Sequence, residues 1–354
     1  MKRLKLFANC RVVDGPVNSI IVDIQREEFY QIDRQTSWAV KALTGKLPDN
    51  ESTKHFFSEE ELEELAEKLC ELDMAFWCSK DLEGNFPELN LYFDSYESIN
   101  NSIIEMSEFV TLTSLKKIIP QLELLKCKHL EIRMYDDNSD ELEDVFKLIK
   151  FSDIRSISLK VNVYRFPDLK RLVALTKKYL KVSLIELFSV TDVESKVESE
   201  FAVFYKHLSK LEGSHQCGVV ASDYFTINIE SFTEAINHNS CLNKKISVDR
   251  FGEIKNCPSM RDSFGNIQDT TLSAVLENEK FKRIFNIKKD DVEICMDCEF
   301  RYVCTDCRAY VEDSKNLYSK PLKCGYDPYT GEWSEWSDSL LKRTIMTAYR
   351  QGTL

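Results

Sequence analysis

The chain has 354 residues, 43% of them hydrophobic, enough for one large domain or two to three ordinary ones, which excludes a disordered tail. Lys and Arg number 47 against 59 Asp and Glu, a formal balance of -12, which argues against nucleic acid phosphate as the main partner. Only 10 Gly and 8 Pro exclude a collagen-like or linker-dominated chain, and no stretch approaches the roughly 18 continuous apolar residues of a membrane span.

The start, MKRLKLFANCRVVDG, lacks the apolar core and small-residue cleavage site of a secretory signal, so a cytoplasmic protein is expected. Leu4 to Val13, the Asp14-Gly15-Pro16 turn, Ser19 to Ile24 and Phe29 to Ile32 read as a small meander of short strands. A helix is expected around Trp38 to Leu43, stopped at Gly45. A second opens with Ser58 and Glu61 as a capping box and places Leu62, Leu65, Leu69 and Leu72 on one face. Residues 1–95 thus read as a small α+β unit.

From about residue 96 the pattern alternates. Apolar Ile103-Ile104 is followed by a helix at Leu115 to Leu125, a strand at Leu130 to Met134 and a helix at Leu142 to Ile149. A strand at Ile154 to Val161, a helix at Leu169 to Leu175 and a strand at Val182 to Phe188 complete the series. Such β-α units predict an α/β fold with a mostly parallel sheet, either open or a partial (β/α) barrel, over residues 96–235. Residues 191–235 carry no clear period, and 236–354 form the third expected unit.

Of the 12 cysteines, Cys10, Cys70, Cys78, Cys127 and Cys217 are scattered, whereas the other seven lie between Cys241 and Cys324. In a reducing compartment these are thiols or metal-bound thiolates. Cys295, Cys298, Cys304 and Cys307 form a C-x2-C-x5-C-x2-C array, in which each C-x2-C pair presents two thiolates from one knuckle. Upstream, Cys241 and Cys257 bracket Gly252 as C-x10-G-x4-C, and Cys324 follows downstream. Seven thiolates exceed one tetrahedral site, and two four-ligand sites need one more ligand or leave a position open. Iron-sulfur is the favoured reading, with zinc as the alternative that cysteine-only ligation also suits.

This order of cysteines resembles the SPASM domain, the C-terminal iron-sulfur module of peptide-modifying radical S-adenosylmethionine proteins. The resemblance implies that Cys295, Cys298, Cys304 and Cys324 hold one [4Fe-4S] cluster. It also implies that Cys241, Cys257 and Cys307 hold another with an extra upstream ligand. His238, three positions before Cys241, and Cys217 are the candidates for that ligand; as a loop histidine and a buried free thiol each also has an ordinary structural reading. One departure is that two residues separate Cys304 from Cys307, where the family pattern has three. The radical motif C-x3-C-x2-C is missing, because no cysteine lies between Cys78 and Cys127, so no S-adenosylmethionine site is expected.

The segments KLFANCRVVDG, SIIVDIQREEFYQI, HNSCLNKKISVDRFGEIKNCPSM, SFGNI and CEFRYVCTDCRAY resemble the SPASM-domain peptide maturases of "grasp-with-spasm" systems. This resemblance implies a degenerate barrel without the radical cluster and a role in maturing a ribosomally synthesised peptide. It further implies a winged-helix-like N-terminal element that accepts the leader of a precursor peptide as an added strand. An ATP-grasp ligase is the implied partner, with neither nucleic acid nor membrane involved. No catalytic residue follows from it. The clusters either staple a peptide-presenting protein or include an open iron at the Cys241, Cys257, Cys307 site that does redox or Lewis-acid chemistry. A zinc-stabilised interaction protein is the remaining alternative.

Overall fold

A computed structural model describes residues 2–47, 57–135, 141–163, 169–190 and 195–351. The N-terminal run expected as one strand is two, β1 (Lys2–Leu6) and β2 (Cys10–Asp14), separated by a turn in which the Cys10 N–H returns to the Phe7 carbonyl at 2.9 Å. β2, β3 (Asn18–Asp23) and β4 (Glu28–Asp33) form the antiparallel meander. Asp33 caps α1 (Arg34–Leu43) by accepting the Thr36 N–H, and Gly45, at φ +69°, follows its end. α2 (Glu59–Glu71) opens with the full Ser58–Glu61 capping box and buries Ala66 and Leu69, whereas Leu72 stays exposed. β5 (Ala75–Ser79) takes β1 as its antiparallel partner.

Alternation along β3 gives it two buried faces. Ile21 packs with Leu4, Val40 and Leu69 of the N-terminal unit, while Ile20 and Val22 join Phe232, Phe300, Val303, Cys304 and Cys324. The N-terminal sheet is therefore a shared wall between its own helices and the cysteine-rich end.

The alternating region supplies β6 (Asn101–Met106), α3 (Leu112–Leu124), β7 (His129–Met134), α4 (Leu142–Ile149), β8 (Ser156–Asn162), α5 (Leu169–Lys178) and β9 (Val182–Phe188). The segment without a clear period adds β10 (Ser195–Glu198), β11 (Val203–Lys206) and α6 (Ile229–Asn237), and β12 (Lys245–Val248) and β13 (Ile254–Lys255) follow. These strands form one eight-stranded sheet in the order β10-β11-β9-β8-β7-β6-β12-β13. Its six inner strands are parallel, with an antiparallel hairpin partner at each rim. The division expected at residue 236 lies ahead of β12 and β13, so the cysteine-rich segment begins inside the central sheet.

Alternation again separates the two faces. Ile104, Ile132, Leu159 and Ile185 pack under the helices with Leu115, Phe146 and Leu172. The opposite face carries Glu105, Arg133, Lys160 and Glu186 side by side in register. Arg133 reaches Glu105 at 3.4 Å, Lys160 reaches Glu186 at 3.0 Å, and His207 approaches Glu186 at 3.2 Å. The remainder comprises α7 (Leu272–Leu276), α8 (Glu279–Lys282), the hairpin β14 (Tyr326–Asp327) and β15 (Glu332–Trp333), and α9 (Leu340–Gln351). Among the described residues no helix is long and apolar enough to cross a membrane.

The sheet is anchored at its N-terminal rim by Glu97, which is 1% exposed and pairs with Lys128 at 2.8 Å. Burial works against the carboxylate, but the Lys128 contact and local hydrogen bonds outweigh it and hold its pKa down at about 2. A depressed carboxylate contributes stability above its unfolded pKa, and loses it as pH falls through the folded value. Glu97→Gln is expected to lower stability by about 1–2 kcal/mol at pH 7. Denaturant melts of both proteins from pH 7 toward pH 2 are expected to show that difference shrinking.

Candidate metal centre

The first cysteine group is assembled by short-range turns. Ile294, at φ +66°, aims the chain into a 3-10 turn at Cys295–Asp297, and the Cys298 N–H closes the knuckle on the Cys295 carbonyl at 3.0 Å. A second turn places the Cys304 N–H on the Phe300 carbonyl at 3.0 Å, and Cys324 enters from the Pro321 turn. Burial pushes the Cys304 thiol up to about 12 and raises those of Cys295 and Cys298. Cys324 and Cys295 add to the effect at Cys304, and Cys304 and Cys295 add to it at Cys298. Cys295, Cys298 and Cys304 thus each have a thiol of this set near enough to disfavour their ionisation. Phe300, beside them, meets Phe29 of β4 and Tyr326 edge-to-face and Phe225 and Trp333 at a tilt.

The second group lines a cavity of about 340 Å³ whose wall includes Cys217, Cys241, Cys257 and Cys307. Cys241 leads into β12 and Cys257 follows β13, so the hairpin between them sets their separation. Gly252 sits in that hairpin turn at φ +83°, a left-handed conformation that favours glycine and accounts for its place in the spacing. Cys217 ends a 3-10 turn at Ser214–Gln216 and is exposed, closing the outer side of the cavity. Three positions further on, the Val220 N–H donates to the Lys323 carbonyl at 3.1 Å, and Val220 bridges to Cys324 of the first group. Burial pushes Cys241 up to about 12 and Cys307 up to about 11, and Cys217 acts on both.

Buried charge surrounds both groups. Lys289 lies 3.8 Å from the Cys295 sulfur and 3.5 Å from Asp306, and Arg308 pairs with Asp306 at 2.7 Å. Lys245 lies 3.9 Å from the Cys241 sulfur. Burial pulls its pKa down, but the neighbouring thiols Cys241, Cys257 and Cys217 override this and raise it. Lys323 donates to the carbonyls of His215 and Cys217 and lies 4.7 Å over the Tyr310 ring. Burial lowers its pKa, which the Cys307 and Cys217 thiols partly oppose.

Cys217 shares one cavity with Cys241, Cys257 and Cys307, and Cys295, Cys298, Cys304 and Cys324 lie outside its wall. His238 lies elsewhere: it contacts Asn286 at 3.2 Å, meets the Phe93 ring edge-on, and lines a different cavity with Ser98 and Lys244. The lysines were missed in the sequence. Their one local signal is proximity, Lys323 preceding Cys324 directly and Lys245 following Cys241 by one helical turn's spacing. Among the described residues, no three His, Cys, Asp or Glu side chains form a set fit to hold one metal ion.

Residues 240–299 match the SPASM family, an iron-sulfur cluster-binding domain, a span that includes Cys241, Cys257, Cys295 and Cys298. No curated protein matches the sequence. Solved structures of Streptococcus suis SuiB are similar over nearly their whole length. SuiB bound to S-adenosylmethionine is 11% identical with a TM-score of 0.37, covering 91% of this chain and 99% of that one. SuiB bound to its precursor peptide SuiA is 10% identical with a TM-score of 0.35, covering 90% and 98%.

Gly218 connects Cys217 to this geometry. Its φ is +86°, and a Cβ there would stand 2.9 Å from the Cys307 sulfur. Gly218→Ala is expected to cost about 1–2 kcal/mol in backbone strain alone and to displace Cys307. Thermal melting and alkylation mass spectrometry of metal-free protein should show faster labelling of Cys307. Gly84→Ala, where an added Cβ meets nothing within 4 Å, is expected to leave it unchanged.

Proposed function

We propose that the chain is a cytoplasmic maturation protein for a ribosomally synthesised peptide, holding two iron-sulfur centres and presenting its precursor to an ATP-grasp ligase. The observation that carries this reading is the single cavity lined by four cysteines, Cys217, Cys241, Cys257 and Cys307. Cys295, Cys298, Cys304 and Cys324 would hold one [4Fe-4S] cluster, and Cys217, Cys241, Cys257 and Cys307 the other. Four thiols on the wall of one cavity of about 340 Å³ offer the all-cysteine donor set that an iron-sulfur cluster takes. The match of residues 240–299 to an iron-sulfur cluster-binding family supports the same assignment.

Bound clusters supply metal-thiolate bonds between distant segments, and their binding free energy is then folding free energy. Cys217 favours a fully ligated second centre over an open iron, so a stapling role is preferred to redox or Lewis-acid catalysis. The segment 107–111 after β6 contains no cysteine, and the reading therefore includes no S-adenosylmethionine chemistry.

In this reading residues 1–95 bind peptide, 96–235 form the scaffold, and 236–354 together with Cys217 hold the metal. The N-terminal sheet supports the first of these. Among the described residues β4 pairs with β3 on one side and with no strand on the other. Its half-buried Phe29, Tyr30 and Ile32 flank that edge, as a surface accepting an added strand requires.

Anaerobically purified protein is expected to contain about eight iron and eight sulfide per chain, as two [4Fe-4S] clusters require. Cys217→Ala should retain about half. Zinc without sulfide would turn the reading to a structural clamp. Hydrogen exchange with the precursor's leader peptide is expected to protect the β4 amides and leave those of the rim strand β10 unchanged. Protection absent from β4 would remove the strand-addition mode.

A further inference from the structure

The two cysteine groups differ in the charge built around them. At the first, Lys289 is 3% exposed, and Asp306 and Glu299, each 0% exposed, lie among or beside the thiols. Asp306 pairs with both Lys289 and Arg308, so the cations there are already matched in part by a carboxylate.

The second group has no such match. Lys245 is 9% exposed and Lys323 3%, and among the described residues neither ammonium has a carboxylate within ion-pair distance: Lys245 has the Cys241 sulfur at 3.9 Å, and Lys323 has the carbonyls of His215 and Cys217 and the Tyr310 ring. Glu131 acts on Lys245 only from beyond that distance and is itself engaged by Arg133 and Lys160. A buried cation without a carboxylate partner is costly unless another anion lies near it. Four thiolates around a metal core provide that anion. Fixed positive charge also favours the more negative, reduced form of whatever the thiols hold.

Resting on the iron-sulfur reading above, we propose that the centre at Cys217, Cys241, Cys257 and Cys307 accepts electrons before the centre at Cys295, Cys298, Cys304 and Cys324. Lys245 and Lys323 are the residues that set this order. Neither touches substrate; both act through the charge they hold against the thiols.

The test is a redox titration of the anaerobic holoprotein with dithionite, followed by paramagnetic resonance, with iron and sulfide measured for every sample. Two reduction waves are expected, and Cys298→Ala should remove the lower one. Lys245→Met and Lys323→Met should each move only the upper wave downward. Together they should cut the reduced-to-oxidised ratio at a fixed potential by at least about tenfold, about 59 mV for a one-electron couple. Lys245→Arg should restore it. If Lys245→Met loses iron, Lys323→Met, whose hydrogen bonds go to carbonyls, gives the same readout. Full iron and sulfide with unmoved waves, or loss of the upper wave in Cys298→Ala, overturns the proposal alone. Wild-type protein without sulfide overturns the iron-sulfur reading and the proposal with it.

Discussion

A buried carboxylate, Asp306, stands at the point where the two cysteine groups meet. It lies between Cys304 and Cys307 in the chain, is fully buried, and takes Lys289, Arg308 and the Asn239 amide as partners. Asn239 in turn accepts the N–H groups of Cys241 and Leu242 and donates to the Ile287 carbonyl. Arg308 extends the network to the carbonyls of Leu317 and Ser319, fixing the path toward Cys324. A buried charge of this kind depends on its ion partners, and removing one leaves the rest uncompensated. That constraint ties the positions of cysteines from both groups to one another.

The N-terminal sheet depends on the same end of the molecule. Arg301, three residues before Cys304, donates to the Asp14 carbonyl at 2.8 Å in the turn joining β2 and β3. Gly15 in that turn leaves no room for a side chain, because an added Cβ would lie 2.5 Å from Glu299. With Phe29 of β4 edge-to-face on Phe300, the edge proposed to bind peptide is packed directly beside the first cysteine group. The N-terminal sheet and the first cysteine group therefore share one hydrophobic core.

The central sheet links the second group to the rest by its charged face. Lys160 takes part in the row of ion pairs across β6 to β9 and also lines the cavity of Cys217, Cys241, Cys257 and Cys307. The helices cover the opposite, apolar face, so the polar face is free to form the cavity wall. The parallel order of the strands and the single-sided helices together determine which residues reach the cysteines.

Much of this was legible locally. The Ser58–Glu61 capping box, the alternating periods that mark β7, α4, β8 and β9, and the knuckle spacing of Cys295 and Cys298 each depend on residues a few positions apart, so the sequence alone determined them. The grouping of distant parts was not legible. β1 leaves its neighbour β2 to pair with β5, β12 and β13 insert beside β6, and of the two candidates Cys217 and His238 only the packing brings Cys217 to the cavity of Cys241, Cys257 and Cys307. Which lysines keep a carboxylate partner and which face thiols alone was equally hidden. Such choices are made between segments whose local patterns are alike, and only the packing of the complete chain, through burial and the pairing of charges, distinguishes them.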